Sequence, residues 1–371
     1  MNMFEQISTE MIMFLILYGI TGAVPLIAAL YMLLRRGNAF APGVTPPLRL
    51  RRWTASFFAV VSVAHVWWIL FYIYSNDLLS ISYLVLAMTD FVLLFATFAG
   101  MLLTMLQDRR RQVWPALVAT IPFVLIWGAY VVYRSQLIEL MAAAYLLLLG
   151  LVFAAYMIFA TRQYGRWLND NYADLENKKV WLSQTVALIC MLQFILYVLA
   201  TNMVFIWLIH IIELVLVVLL LWRVETLPTL QEETRMQEQS APPTLKEGQG
   251  GGSVNIDLAQ IERQLAEHCA APQLYLQHDL TLQQLAQVVG TNRFYLSQYF
   301  SRQGITYNTY INNLRINHFI SRYQEVVAAG QPVVAQQLAS ESGYRSYSTF
   351  SLAFKQRTGQ SVTAWMRQSA D

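Results

Sequence analysis

Two cysteines in 371 residues, Cys190 and Cys269, leave no disulfide framework and no paired-thiol zinc module. Charge is scarce as well. Asp, Glu, Lys and Arg make up 13% of the chain against 56% apolar residues, a balance outside the range of ordinary soluble domains. The shortage is local, because charges are sparse up to about residue 222 and of ordinary density beyond it. There is also no Gly-rich phosphate loop, no dinucleotide fingerprint, no Ser/His/Asp set and no phosphoacceptor domain. The sequence therefore points away from an enzyme, and it predicts neither a cofactor nor a bound metal. No basic segment precedes the first apolar stretch, which is too long for a signal-peptide core, so no cleavable signal peptide is expected.

Long apolar runs are what the first part has in plenty. Stretches near 11–34, 53–74, 79–106, 113–133, 137–160, 180–200 and 202–222 each approach or exceed the ~20 residues that cross roughly 30 Å of hydrocarbon. They predict seven transmembrane helices, the last two forming a tight hairpin around Thr201 and Asn202. Buried helices of a large soluble core would be interrupted repeatedly by charge, and these carry only isolated ionisable groups. Pro25, Pro115 and Pro122, with Gly19 and Gly22, predict kinks.

Orientation follows from the short loops. Arg35, Arg36, Arg49, Arg51 and Arg52 lie in the first, Arg109, Arg110 and Arg111 in the third, and Arg162, Arg166, Lys178 and Lys179 in the fifth. The opposite side has only Arg134. Basic loops stay in the cytoplasm, which puts the N-terminus outside and the C-terminus inside. The chain is expected to be a multi-pass protein of the cytoplasmic membrane, its basic first loop touching membrane lipid headgroups.

After residue 222 the sequence turns polar. Residues 223–253 contain Pro228, Pro242, Pro243 and a closing glycine run, the composition of a flexible linker. From 254 to 371 the text reads as short amphipathic helices with tight turns. Thr281 and Gln284 form a capping box, Gly290 supplies a turn, and Asn292 caps the next helix. Helix, glycine turn, helix is the pattern of a helix-turn-helix unit. It recurs around Gly343, with YNTYINNLRINHFISRYQEVV between as a connecting helix. The units fall at about 281–303 and 333–358, and the connector at about 307–327.

Residues 270–368 resemble the DNA-binding domain of the AraC/XylS transcription regulators. The resemblance rests on YLQHDLTLQQLAQVVGTNRFYLSQYF and on a tail pattern matched by Gly343, Tyr344, Phe350, Phe354, Lys355, Gly359 and Trp365. It covers about a quarter of the chain and says nothing of the first 253 residues. It implies an all-α fold, a polytopic seven-helix bundle joined to a cytoplasmic double helix-turn-helix domain, that binds double-stranded DNA. Two recognition helices held roughly 34 Å apart enter successive major grooves. Their outward faces carry Arg293, Phe294, Ser297 and Gln298 in the first and Tyr347, Ser348, Ser351 and Leu352 in the second. Asn292, Ser346, Thr349 and Lys355 are placed for phosphate contacts or capping, and Arg345 joins them from the turn. The family often has Arg or Lys where Gln298 and Leu352 stand. Nine bases against seven acids in 254–371 leave a net of about +2, weakly basic for a DNA binder, so binding as a homodimer is expected.

Ionisable groups deep in apolar helices are costly and mark candidate sites. Here they are His65, Asp90, His210 and Glu213, with Glu139 at the outer start of the fifth span. They can hold a polar ligand or couple a signal, or can simply bond helices together. The chain thus reads as a one-component regulator that responds to an unknown small molecule or membrane-derived signal. A transporter, or a membrane scaffold whose helix-turn-helix units bind protein, is the alternative.

Overall fold

A computed structural model describes residues 9–74, 81–175, 203–230 and 258–369, with Lys178, Val180, Gln184, Thr185 and Ile189. Among these residues the secondary structure is helical, apart from one isolated bridge between Tyr172 and Thr281. The chain divides into two compact units. The first takes Met1–Tyr164 and Val180–Leu230, and the second takes Gly165–Lys179 and Gln231–Asp371.

In the first unit the helices are α1 (Thr9–Leu34), α2 (Leu48–Tyr74), α3 (Ile81–Met105), α4 (Trp114–Val118), α5 (Ile121–Tyr133), α6 (Gln136–Asn171, ending in the second unit) and α7 (Met203–Thr226). Among the described residues, six helical stretches are long and apolar enough to cross a membrane. The expected span at 180–200 falls largely outside the described residues. In hydrocarbon every backbone N–H and C=O must be satisfied within the chain, which favours long helices. Their outer faces are apolar too: Leu125, Val132 and Leu137 are exposed, while Ala99, Met101 and Leu102 are buried. A helix apolar on all sides belongs in a large core or a bilayer.

The bounds differ from the sequence reading where proline or charge intervenes. The stretch 113–133 is two helices, since Pro115 and Pro122 each occupy a first turn, where a missing N–H costs nothing. Helix α2 begins at Leu48 and takes Arg49, Arg51 and Arg52 into its first turns, and α6 runs on to Asn171. Gly100 permits the closest approach. A Cβ there would overlap the ring of Trp53.

The arginine-rich loops are tied into structure. Arg35 forms a 2.9 Å ion pair with Glu225, and both side chains are buried. Arg49 donates to the carbonyl of Arg111 at 2.7 Å, Arg51 donates to that of Met32, and Arg111 pairs with Asp108. Asn38 donates to the carbonyls of Val44 (3.0 Å) and Glu225 (2.7 Å). Helix α7 continues to Thr226, past the expected linker start at 223. Gln107 then bonds the carbonyl of Pro228 and the N–H of Leu230, each at 2.9 Å. Residues 231–253, the rest of that linker, and 254–257, the start of the expected domain beyond it, lie outside the described residues.

The second unit holds α8 (Leu258–Leu265), α9 (Leu282–Val288), α10 (Arg293–Arg302), α11 (Tyr307–Ala328), α12 (Ala335–Glu341), α13 (Tyr347–Thr358) and α14 (Val362–Gln368). The Thr281–Gln284 capping box forms as the sequence predicts. Side chains of Asn292, Thr306, Ser346 and Ser361 cap the starts of α10, α11, α13 and α14. Two apolar cores result, and α11 serves both: Tyr307 and Ile311 enter the first, Ile316, Phe319 and Tyr323 the second.

Arg315, on α11 between those two groups, is 1% exposed. Its guanidinium donates to the carbonyls of Tyr275 (2.7 Å), Gln277 (2.7 Å) and His278 (3.3 Å) and lies 5.4 Å from the ring centre of Tyr344. Gly343 packs against the same place. It has φ +86°, and a Cβ would sit 2.8 Å from the carbonyl oxygen of Leu276 and 3.1 Å from Arg315 Nε. The unit also includes a strap from the end of α6. Ala173 N–H donates to Leu280 at 3.3 Å, Asn308 donates to Tyr172 (3.1 Å) and Ala173 (2.7 Å), and Ala173 joins the first core.

Replacing Arg315 with Met strands three carbonyls, each costing about 1–3 kcal/mol. The expected result is a loss of roughly 3 kcal/mol or more in the second unit, read by denaturant unfolding of the full chain. Gly343→Ala is expected to destabilise the same transition.

Candidate functional site

The two candidate recognition helices, α10 and α13, are entered in the same way. Asn292 Oδ1 accepts from Tyr295 N–H at 2.9 Å, and Ser346 Oγ accepts from Thr349 N–H at 3.3 Å. Each polar residue thus satisfies an orphan donor and fixes where its helix begins. Behind them, Leu296, Tyr299 and Phe300 are buried under α10, and Phe350, Ala353 and Phe354 under α13.

The opposite faces are open to differing degrees. Phe294 (65%) and Leu352 (52%) are exposed, as are Ser348 and Lys355. Arg293, Ser297, Gln298 and Ser351 are half-buried. Tyr347 is not wholly outward, since its ring packs on the second core 5.7 Å from Phe350. Thr349 contributes to the cap through a 3.0 Å contact between its hydroxyl and Ser346 Oγ. Neither Arg293 nor Lys355 forms an ion pair among the described residues.

Not all the bases counted in the sequence face outward unencumbered. Arg315 is the buried staple, Arg357 donates to Asn317 Oδ1 at 2.6 Å, and Arg322 pairs with Glu325 and Glu341. Arg345 pairs with Asp279, and both are about half exposed. A pair that open to solvent is worth little, so a phosphate can displace the carboxylate at small cost.

The apolar helices bring three of their four candidate groups together. His65 on α2 and His210 and Glu213 on α7 place ligand atoms within 4.8 Å of one another. Asp90 lies apart from that group, where Trp68 Nε1 donates to it at 3.1 Å. Glu139 is exposed in the first turn of α6. Asn202, expected in the hairpin turn, and Cys190 fall outside the described residues. Sequence reasoning missed Glu225, the buried partner of Arg35, because it follows the last apolar run and reads as the start of a polar linker. Cys269 is buried in the first core of the second unit, and burial pushes its thiol up to about 11. It is therefore protonated and unreactive at neutral pH.

In a Cys190→Ser background, the native full chain should resist alkylation at pH 7–8 on the ~1 h scale that modifies a free thiol. It should label fully once unfolded, as mass spectrometry would read.

Against known proteins, no curated protein and no solved structure matches the chain. Residues 285–368 match the family described as Helix-turn-helix domain, which supports an AraC-type DNA-binding domain in this part of the chain.

Proposed function

We propose that the protein is a membrane-anchored transcription regulator, a one-component system in which input and output share a chain. One observation carries the reading: an AraC-type DNA-binding domain occupies the same chain as six described helical stretches long and apolar enough to cross a membrane. The excess of basic residues in alternate loops supports an N-terminus outside and a DNA-binding domain in the cytoplasm, the compartment that holds bacterial DNA. Six described spans and the apolar stretch at 180–200 together make seven.

The domain reads promoter DNA as a homodimer. Arg293, Phe294, Ser297 and Gln298 on α10, and Tyr347, Ser348, Ser351 and Leu352 on α13, face base edges. Exposed Phe294 and Leu352 suit thymine methyl groups, the apolar feature of the major groove. Asn292, Arg345, Ser346, Thr349 and Lys355 hold the backbone. The apolar unit receives a signal in or at the membrane, and dimerisation raises the local concentration of paired domains.

Chromatin immunoprecipitation of the tagged full-length chain, with membrane fractionation of the same cells, tests this. Promoter sites recovered with intact, membrane-bound protein are expected; absence of enriched sites in every growth condition overturns the reading. On such a site Lys355→Ala should weaken binding uniformly across sequences and lower the salt slope by about 1. Arg293→Ala should cost about 1–3 kcal/mol and relax specificity at one position.

A linker of glycine-rich composition transmits torque poorly. Inserting roughly ten Gly/Ser residues after Gly250 should leave regulation intact, because effective concentration falls only slowly with linker length. A reporter gene under the identified promoter reads the outcome, and loss of the response would favour mechanical coupling through the linker.

A further inference from the structure

We propose that His65, His210 and Glu213 form a binding site for one divalent transition-metal ion of the zinc class. The site stands on the geometry of α1, α2 and α7 and does not depend on the regulator reading.

The ligand set is the first argument. Two imidazoles and a carboxylate are a recurrent zinc triad that leaves a fourth position open. His210 and Glu213 are three residues apart and share one face of α7, and His65 comes from α2. Ligands ~2.0–2.2 Å from a tetrahedral ion lie roughly 3.3–3.5 Å from one another. His65 Nε2 and Glu213 Oε2 are 3.7 Å apart, and all three ligand atoms fall within 4.8 Å. Rotamer adjustments of about an ångström close that gap without moving a helix.

Orientation is the second. His65 Nδ1 lies 2.8 Å from the carbonyl of Val61. A carbonyl only accepts, so Nδ1 carries a proton, which leaves Nε2, on the side of Glu213, as the nitrogen able to offer a lone pair to a metal ion. Metal-binding histidines are commonly fixed in this way. Tyr18 adds to the fixing, its hydroxyl donating to the His65 carbonyl at 2.9 Å.

Enclosure is the third. Gly22 on α1 lets that helix close on His65; a Cβ there would lie 3.1 Å from His65 Cβ. The rings of Phe14 and Tyr18 lie 5.6 and 5.5 Å from His210, and Tyr18 lies 4.9 Å from His65. Such walls limit water and fix the imidazoles. The histidine rings are 6.0 Å apart and nearly perpendicular, an arrangement in which two nitrogens can point at one centre.

The test is metal binding by the full-length chain in detergent micelles, stripped with chelator and titrated with Zn²⁺ or Co²⁺. A single equivalent per chain is expected, with the visible bands of tetrahedral cobalt and no thiolate charge-transfer band. His65→Ala and His210→Ala should weaken Zn²⁺ binding by more than the roughly 10–100-fold typical of losing a group that only orients a ligand. His210→Cys should retain binding and add the thiolate band, a gain of signal that misfolding cannot mimic. Failure of the wild-type chain to bind, a thiolate band in its spectrum, or binding indifferent to the histidine substitutions overturns the proposal.

Discussion

The buried guanidinium of Arg315 is the constraint on which the DNA-binding part depends. A charge 1% exposed is tolerable only if its donors are satisfied, and here backbone carbonyls from Tyr275, Gln277 and His278 satisfy them. Those carbonyls precede the first helix-turn-helix unit, Arg315 belongs to the connecting helix, and the Tyr344 ring it lies against comes from the turn inside the second helix-turn-helix unit. One side chain therefore fixes three segments at a single point. A hydrophobic residue could fill the volume but could not set the register, because apolar contacts are not directional. Gly343 follows from the same constraint, since any larger residue would press on Leu276 and Arg315.

Polar groups in the first unit act in two settings. Around the basic loops they bond the ends of helices to one another, as Arg35 and Glu225 do. Between α2 and α7 they converge with aromatic rings around them. The first arrangement accounts for arginines that would otherwise be read only as topological markers. The second is more costly in an apolar setting, which is why it carries the chemical proposal.

Much of this was legible in the chain. The capping box at Thr281, the caps at Asn292 and Ser346 and the turn at Gly343 are local signals, set by residues within a few positions of one another. Long apolar runs likewise announce helices without knowledge of their neighbours. What the sequence concealed are pairings across distance. A zinc pattern is sought at short fixed spacings, and His65 stands far from His210 in the chain. Asp90, equally conspicuous as text, takes no part in their cluster and is met by Trp68 instead. The base count also misled in one respect, because Arg315 and Arg357 serve the fold rather than an open surface.

The strap formed by Tyr172 and Ala173 has a kinetic meaning. Asn308 and Tyr172 are separated by 136 residues, so their contact has a high contact order, and closing so long a loop is entropically slow. The helix-turn-helix cores, built of near neighbours, form without waiting for it. Once closed, it is held by hydrogen bonds with Asn308 and Leu280, by the burial of Tyr172 and Ala173 and by a 3.9 Å pair between Lys178 and Asp279. On loop-closure grounds it is the last piece of the second unit to assemble.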